Sequence, residues 1–159
     1  MFKNYFTLIK SILVVLLLGS CATNTGKQEQ AHQALRVFFE RLAGGEYEAA
    51  VALYGGSYET LVSFNPALSP DDRAALWQSG CQMNGMQCLT IRTAIFKEVS
   101  DTGEYIFTIE FNAHDGSLFV SDACCGENPT TPPQSQFEYR VVEGVDGQFR
   151  VLDLPVYIP

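Results

Sequence analysis

Apolar residues recur at helical spacing in the first half of the chain and alternate with polar ones in the second. Ala31, Leu35, Phe38 and Leu42, with Ala34 and Phe39, fall on one face of a helix. Gly44-Gly45 ends it, because glycine takes the left-handed conformation of a helix end cheaply. The stretch 46–54, "EYEAAVALY", predicts a second helix, closed by Gly55-Gly56. Its acidic residues lie in the first turn, where they meet the positive end of the dipole. "SYETLVSFNP" reads either as a short third helix or as an irregular segment closing at Pro66. "LSPDDRAALWQSG" carries a start signal, with Ser69 as cap, Pro70 at the first helical position and Asp72 three after the cap. Gly80 is its expected stop.

After Cys88 the texture changes. Leu89, Ile91, Thr93 and Ile95 alternate with their neighbours, and so do Tyr105, Phe107, Ile109 and Phe111. "SDTG" and "HDG" are turns, "SLFVS" is a short strand and "CCGENPTTPPQ" is a loop by its Gly, Asn and Pro content. "SQFEYRVVEG", the turn "VDGQ" and "FRVLDLPVYI" form a final hairpin, in which Pro155 marks the last strand as an edge or its end. Helices followed by an antiparallel meander predict an α+β domain.

The N-terminus differs from all of this. Lys3 and Lys10 flank the start of an apolar run at 12–18 that is far shorter than the about 20 residues of a membrane-spanning helix, so it reads as an export signal. Leu18-Gly19-Ser20-Cys21 resembles the lipobox of bacterial lipoproteins. In that family the Cys is joined to a diacylglycerol, the signal is cut just before it and the new amino terminus is acylated. The resemblance implies a lipidated Cys21, palmitate-type acyl chains and a domain held on the cell membrane or outer membrane, outside the cytoplasm. The plainer alternative is an ordinary signal cut near Ser20 or Ala22. It would leave an unpaired thiol on an exported protein. Residues 1–20 are then the signal, 21–30 a polar flexible spacer and 31–159 a single domain.

Charge narrows the partners. The chain has 10 Lys and Arg against 18 Asp and Glu, and without Lys3 and Lys10 the balance moves from −8 to −10. Nucleic acid is excluded as a partner, since its binding needs clustered basic residues. Electrostatic docking on anionic lipid is disfavoured too, which leaves the anchoring to the acyl chains. The expected partners are the bilayer, through acylated Cys21, and a small apolar ligand or an envelope protein.

"FFERLAGGEYEAAVALY" followed by a long meander resembles the nuclear-transport-factor-2-like, or ketosteroid-isomerase-like, superfamily. Its members often open with an aromatic helix, a Gly-acidic-aromatic-Glu-Ala-Ala turn and a second helix. The resemblance spans about 29–159 and implies a strongly curved sheet wrapped around the first helix as a cone, often with a pocket inside. The superfamily includes enzymes, carriers and inert spacer domains, so it does not by itself assign an activity.

Catalysis of the isomerase type needs a pocket carboxylate and an oxyanion donor. Glu110, Tyr105, Tyr139 and Tyr157 are the residue types for it, but Glu110 alternates with the apolar series of its strand and is expected to face solvent. His32 lies off the main apolar stripe and is expected to be solvated. His114 and Asp115 read as turn residues. No phosphate loop, nucleophile elbow, cofactor motif or metal motif occurs. A non-enzymatic binding or assembly role is therefore favoured, with an isomerase- or dehydratase-like enzyme as the alternative.

Beyond Cys21, four cysteines remain: Cys81, Cys88, Cys124 and Cys125. Their spacing fits neither zinc nor a catalytic dithiol, and an oxidising envelope favours two structural disulfides. Three connectivities are open. The favoured one bridges Cys81 and Cys88 each to one of the adjacent pair, since a Cys124–Cys125 ring would be strained. The runner-up is a local Cys81–Cys88 bridge beside a vicinal one.

Overall fold

The computed structural model describes residues 22–121 and 132–158, with side chains from residue 25 onward. Cys21 with the lipobox, and Cys124 and Cys125 with their loop, lie outside the described residues. Among the described residues, four helices precede a four-stranded sheet. The helices are α1 (Ala22–Ala43), α2 (Tyr47–Val51), α3 (Glu59–Phe64) and α4 (Arg73–Gln82). The strands are β1 (Ile91–Val99), β2 (Tyr105–Phe111), β3 (Phe137–Glu143) and β4 (Phe149–Val151), in antiparallel order β1-β2-β3-β4. The fold is α+β with a meander sheet, as its alternating segments predict. The sheet is open: β1 and β4 are its edges, and it does not close into the expected cone.

One face of the sheet packs on α1. The predicted stripe of Ala31, Leu35, Phe38, Phe39 and Leu42 is buried against Phe107, Ile109, Phe111, Tyr139 and Val141. Phe39 meets Phe111 and Tyr139 edge-on, with centroids 4.9 and 5.0 Å apart. Each such ring stabilises the fold by about 2–3 kcal/mol through burial alone. The space between helix and sheet, where a cone would hold its pocket, is filled by these side chains.

Several boundaries differ from the sequence reading. α1 begins at Ala22, so the stretch expected as a flexible spacer is helical. Its Gln, Glu and Lys residues are good helix formers that need no apolar stripe, and Lys27 Nζ pairs with Glu143 at 2.7 Å. Gly45 ends α1 with φ +74°, while the Gly44 and Glu46 amides bond the Glu40 and Arg41 carbonyls. α4 starts three residues later than expected. Asp72, not Ser69, is its cap, accepting from the Ala75 amide at 3.1 Å, and Ser69 Oγ instead accepts from the Asp71 amide. Ser and Asp are comparable caps, so the motif supports either start.

Gly80 does not stop α4. It is buried inside the helix, and a Cβ there would lie 2.8 Å from Leu61 Cδ2, so glycine serves close packing of α3 on α4. "SLFVS" forms isolated bridges, Asn112–Leu118 and Ser121–Gln134, because β3 takes that side of β2 from Tyr105 to Ile109 and leaves its Phe111 end, where the Phe119 amide donates to the Phe111 carbonyl. β4 ends at Val151, well before Pro155, and the chain turns off where Asp153 accepts from the Arg140 amide and guanidinium.

Candidate functional site

The loop after α4 is closed by a disulfide. Cys81 and Cys88 bond to each other, with Cα atoms 5.5 Å apart. This corrects the favoured pairing of each with one of the adjacent cysteines. The physical reason is local: Asn84-Gly85 turns the chain, Gly85 adopting φ +77°, and brings the two ends of "CQMNGMQC" within bridging distance.

Inside that loop Asn84 reaches back to the end of α3. Asn65 is 8 % exposed, and its side chain is fully engaged. Its Nδ2 donates to the Leu61 carbonyl at 2.7 Å, closing α3. Its Oδ1 accepts from Ser79 Oγ on α4 and from Asn84 Nδ2 at 2.9 Å. α3, α4 and the loop that follows α4 thus meet on one buried amide.

Over this network lies a cleft of about 480 Å³ between the α3–α4 connection and the exposed face of α4. Gln78 and Gln82, one turn apart on α4, form its side, and Gln82 Nε2 donates to Tyr47 at 3.3 Å. A second hollow of about 370 Å³ continues it to Gly85 and Tyr157. Phe64, Met83 and Tyr157 stand at the rim, 43, 81 and 46 % exposed. The rings of Phe64 and Tyr157 are 5.4 Å apart. Among the residues lining the cleft none is Asp, Glu, Lys, Arg, His or Cys.

A more open groove of about 540 Å³ lies beside Tyr58. Glu59, Asp71 and Arg73 line it, and the Arg73 guanidinium sits 4.1 Å over the Tyr58 ring. Burial raises the Tyr58 phenol above its ordinary range, and its oxygen accepts from Trp77 Nε1 at 3.1 Å.

The residues weighed for catalysis do not come together. Glu110 lies on the outer face of the sheet, accepting from Gln136 and Thr93, and these bonds hold its carboxyl below the usual range. Tyr139 points inward, 2 % exposed, and burial pushes its phenol far up. Tyr105 packs on Phe149, and Tyr157 is at the rim of the cleft. His114 is exposed in its turn, and Asp115 is bound to the Ser117 hydroxyl and amide, which lower its carboxyl. His32 is not solvated as expected: it stacks on Phe107 at 5.7 Å, and its Nε2 is buried with no hydrogen-bond partner among the described residues.

Among the described residues no group of His, Cys, Asp and Glu gathers as a metal site, and no helix is long and apolar enough to cross a membrane. The chain matches no protein-family model, and no curated protein and no solved structure matches it.

The cleft residues carry no motif, and apart from Tyr157, weighed above for another role, the sequence does not single them out. Two signals pointed there: the amide-rich "CQMNGMQC" loop, and apolar Phe64 and Met83 placed in segments with no apolar period.

Proposed function

We propose that this chain is a lipid-anchored envelope protein, tethered through Cys21, whose domain binds a partner molecule at the α3–α4 cleft without catalysing a reaction. The observation that carries the binding role is the combination at the cleft: exposed Phe64, Met83 and Tyr157 around a wall with no ionisable group. General acid–base chemistry of the isomerase type needs a carboxylate and an oxyanion donor converging on a substrate, and beside the Tyr157 phenol the described lining offers no carboxylate. An isomerase-like reaction in the interior would need room now occupied by Phe39, Phe111 and Tyr139.

Position supports a partner other than the anchoring bilayer. Lys27, near the start of α1, pairs with Glu143, whereas Gln82 at the cleft bonds Tyr47, just past the end of α1. Lys27 and Ala43 are about 24 Å apart along the helix, so the described N-terminal end of α1 lies away from the end beside the cleft. The kinship with the nuclear-transport-factor-2-like superfamily belongs to the same proposal, supported by the aromatic first helix lying across an antiparallel meander.

Two measurements test this reading. Intact mass of the membrane-extracted protein should show the acyl addition, lost in Cys21→Ser. Nile red, an uncharged apolar dye, should bind saturably and should bind much more weakly to Phe64→Ser and Tyr157→Ser. An unacylated protein refutes the tether, and dye binding indifferent to both substitutions refutes the site.

A further inference from the structure

We propose that the α3–α4 cleft is a carbohydrate site, taking a neutral sugar chain whose ring faces lie on Phe64 and Tyr157 and whose hydroxyls bond the amides of Gln78, Gln82 and Asn84. This assignment rests on the binding role given above and adds the class of ligand.

The argument begins with the hydrogen-bonding inventory of the wall. An anion is recognised by donors without acceptors, which Arg and Lys supply, and a cation by acceptors without donors. The cleft has neither set. Its polar side chains are carboxamides and a serine hydroxyl, each able to donate and accept. A sugar hydroxyl has the same double character, so a row of hydroxyls satisfies a row of amides with no charge left over. The acidic balance of the chain, −8 overall, further disfavours an anionic ligand.

The internal bonds show which amides are committed. Asn65 is spent on Leu61, Ser79 and Asn84, so it fixes the floor and is not a ligand contact. Among the described residues, Gln78 and Gln82 are held by weak mutual contact at 3.5 Å and by the bond from Gln82 to Tyr47. Among the described residues, Gln78 Oε1 and Asn84 Oδ1 accept no hydrogen bond. These groups face the cleft with capacity to spare.

The rim supplies the other half. Sugar rings present C–H faces, which pack on aromatic surfaces that are apolar yet tolerate water at their edges. Phe64 and Tyr157 stand side by side with planes tilted 32°, forming a shallow platform beside the amides. The hollow of about 480 Å³ shares Phe64, Met83 and Asn84 with the one of about 370 Å³, which gives a chain of rings room to extend from one into the other. A peptide is a poorer match, because strand addition uses free backbone groups of a sheet edge, and the polar groups here are side chains of a helix and a loop.

The test uses the ¹⁵N-labelled full chain in micelles of a detergent without a sugar head. Soluble oligomers of N-acetylglucosamine, β-linked glucose and α-linked glucose serve as probes, each up to about 10 mM. At least one should shift the side-chain amide signals of Gln78, Gln82 and Asn84 saturably. Tyr157→Ala and Gln78→Ala should each weaken that sugar about fivefold or more. Gln78 lies on the exposed face of α4, so its variant keeps the fold and the comparison. Unmoved amide signals with all three probes overturn the proposal, as do equal affinities in the variants. Tighter binding of an oligogalacturonate, which is anionic, overturns the neutral-ligand assignment as well. Nile red binding that persists while every sugar fails removes the carbohydrate and leaves the binding site; loss of both removes the two together.

Discussion

Asn84 donates its side-chain amide to Asn65 Oδ1 across 2.9 Å, tying the loop after α4 to the end of α3. The floor of the cleft depends on that buried acceptor.

Asn65→Ala removes the acceptor and strands the Ser79 and Asn84 donors beside the freed Leu61 carbonyl. The expected loss is about 2 kcal/mol of stability, read by urea unfolding, since unmatched buried polar groups cost their desolvation. Asn65→Leu should do no better, because the same donors remain. A loss below about 0.5 kcal/mol in both variants would mean the network adds nothing to folding.

Trypsin should cut after Arg73 and Arg92, releasing residues 74–92 with both Cys81 and Cys88. Without reductant that peptide should appear alone, lighter by two hydrogen atoms than its reduced form. A cross-link to the peptide holding Cys124 and Cys125 would refute the local bridge. Replacing Cys81 and Cys88 by Ser should cost about 2.5 kcal/mol, the closure entropy of so short a loop.

Gly85 combines φ +77° with a close approach: a Cβ there would lie 2.0 Å from the Ile158 carbonyl oxygen. Gly85→Ala should therefore cost about 3 kcal/mol, strain and displacement together. Gly103 has φ +87° but open space around it, so Gly103→Ala should cost only about 1 kcal/mol. Equal thermal shifts in the two variants would mean that the contact with the C-terminal segment is not formed.

Burial raises the phenols of Tyr54 and Tyr139 far above their ordinary range, and that of Tyr58 less so. The sign follows directly. Up to about pH 9 these groups are neutral folded or unfolded, and their contribution is intact. At higher pH the unfolded chain gains charge that the fold refuses, so stability falls until the folded pKa is reached. Phenolate absorbance of the tyrosines should rise in two phases, the second coinciding with loss of the near-ultraviolet dichroism. Smooth ionisation of all of them in a protein that stays folded would contradict their burial.

The α1 stripe and strands β2 and β3 were legible because each sustains its apolar period over several residues that end up on one buried face. In β1 the alternation was read out of phase: a register shift between Ile91 and Thr93 turns Thr93 and Ile95 outward, Ile95 being 64 % exposed, and brings Ala94 and Phe96 against the core instead. Where local signals compete, the sequence underdetermines the outcome. "SPDD" offers two caps within four residues, and only the packing of α4 chooses Asp72. Gly80 carries a stop signal in sequence, yet its lack of a side chain is used to let Leu61 approach. The local bridge was within reach, since Asn84-Gly85 is a strong turn signal midway between Cys81 and Cys88. The cleft was not, because Phe64, Gln82 and Tyr157 are brought together only by tertiary folding.

The early start of α1 has a mechanical consequence for a lipid-anchored chain. With Ala22 already in the helix, a single peptide bond separates the proposed lipid attachment at Cys21 from regular structure. A coil of nine residues would have let the domain sweep a hemisphere with a radius of about 15–20 Å. A helix instead acts as a short mast, setting the height and heading of the cleft relative to the membrane plane. Partners fixed in the same envelope layer would then meet the cleft at one preferred angle, trading reach for a higher local concentration at the right distance.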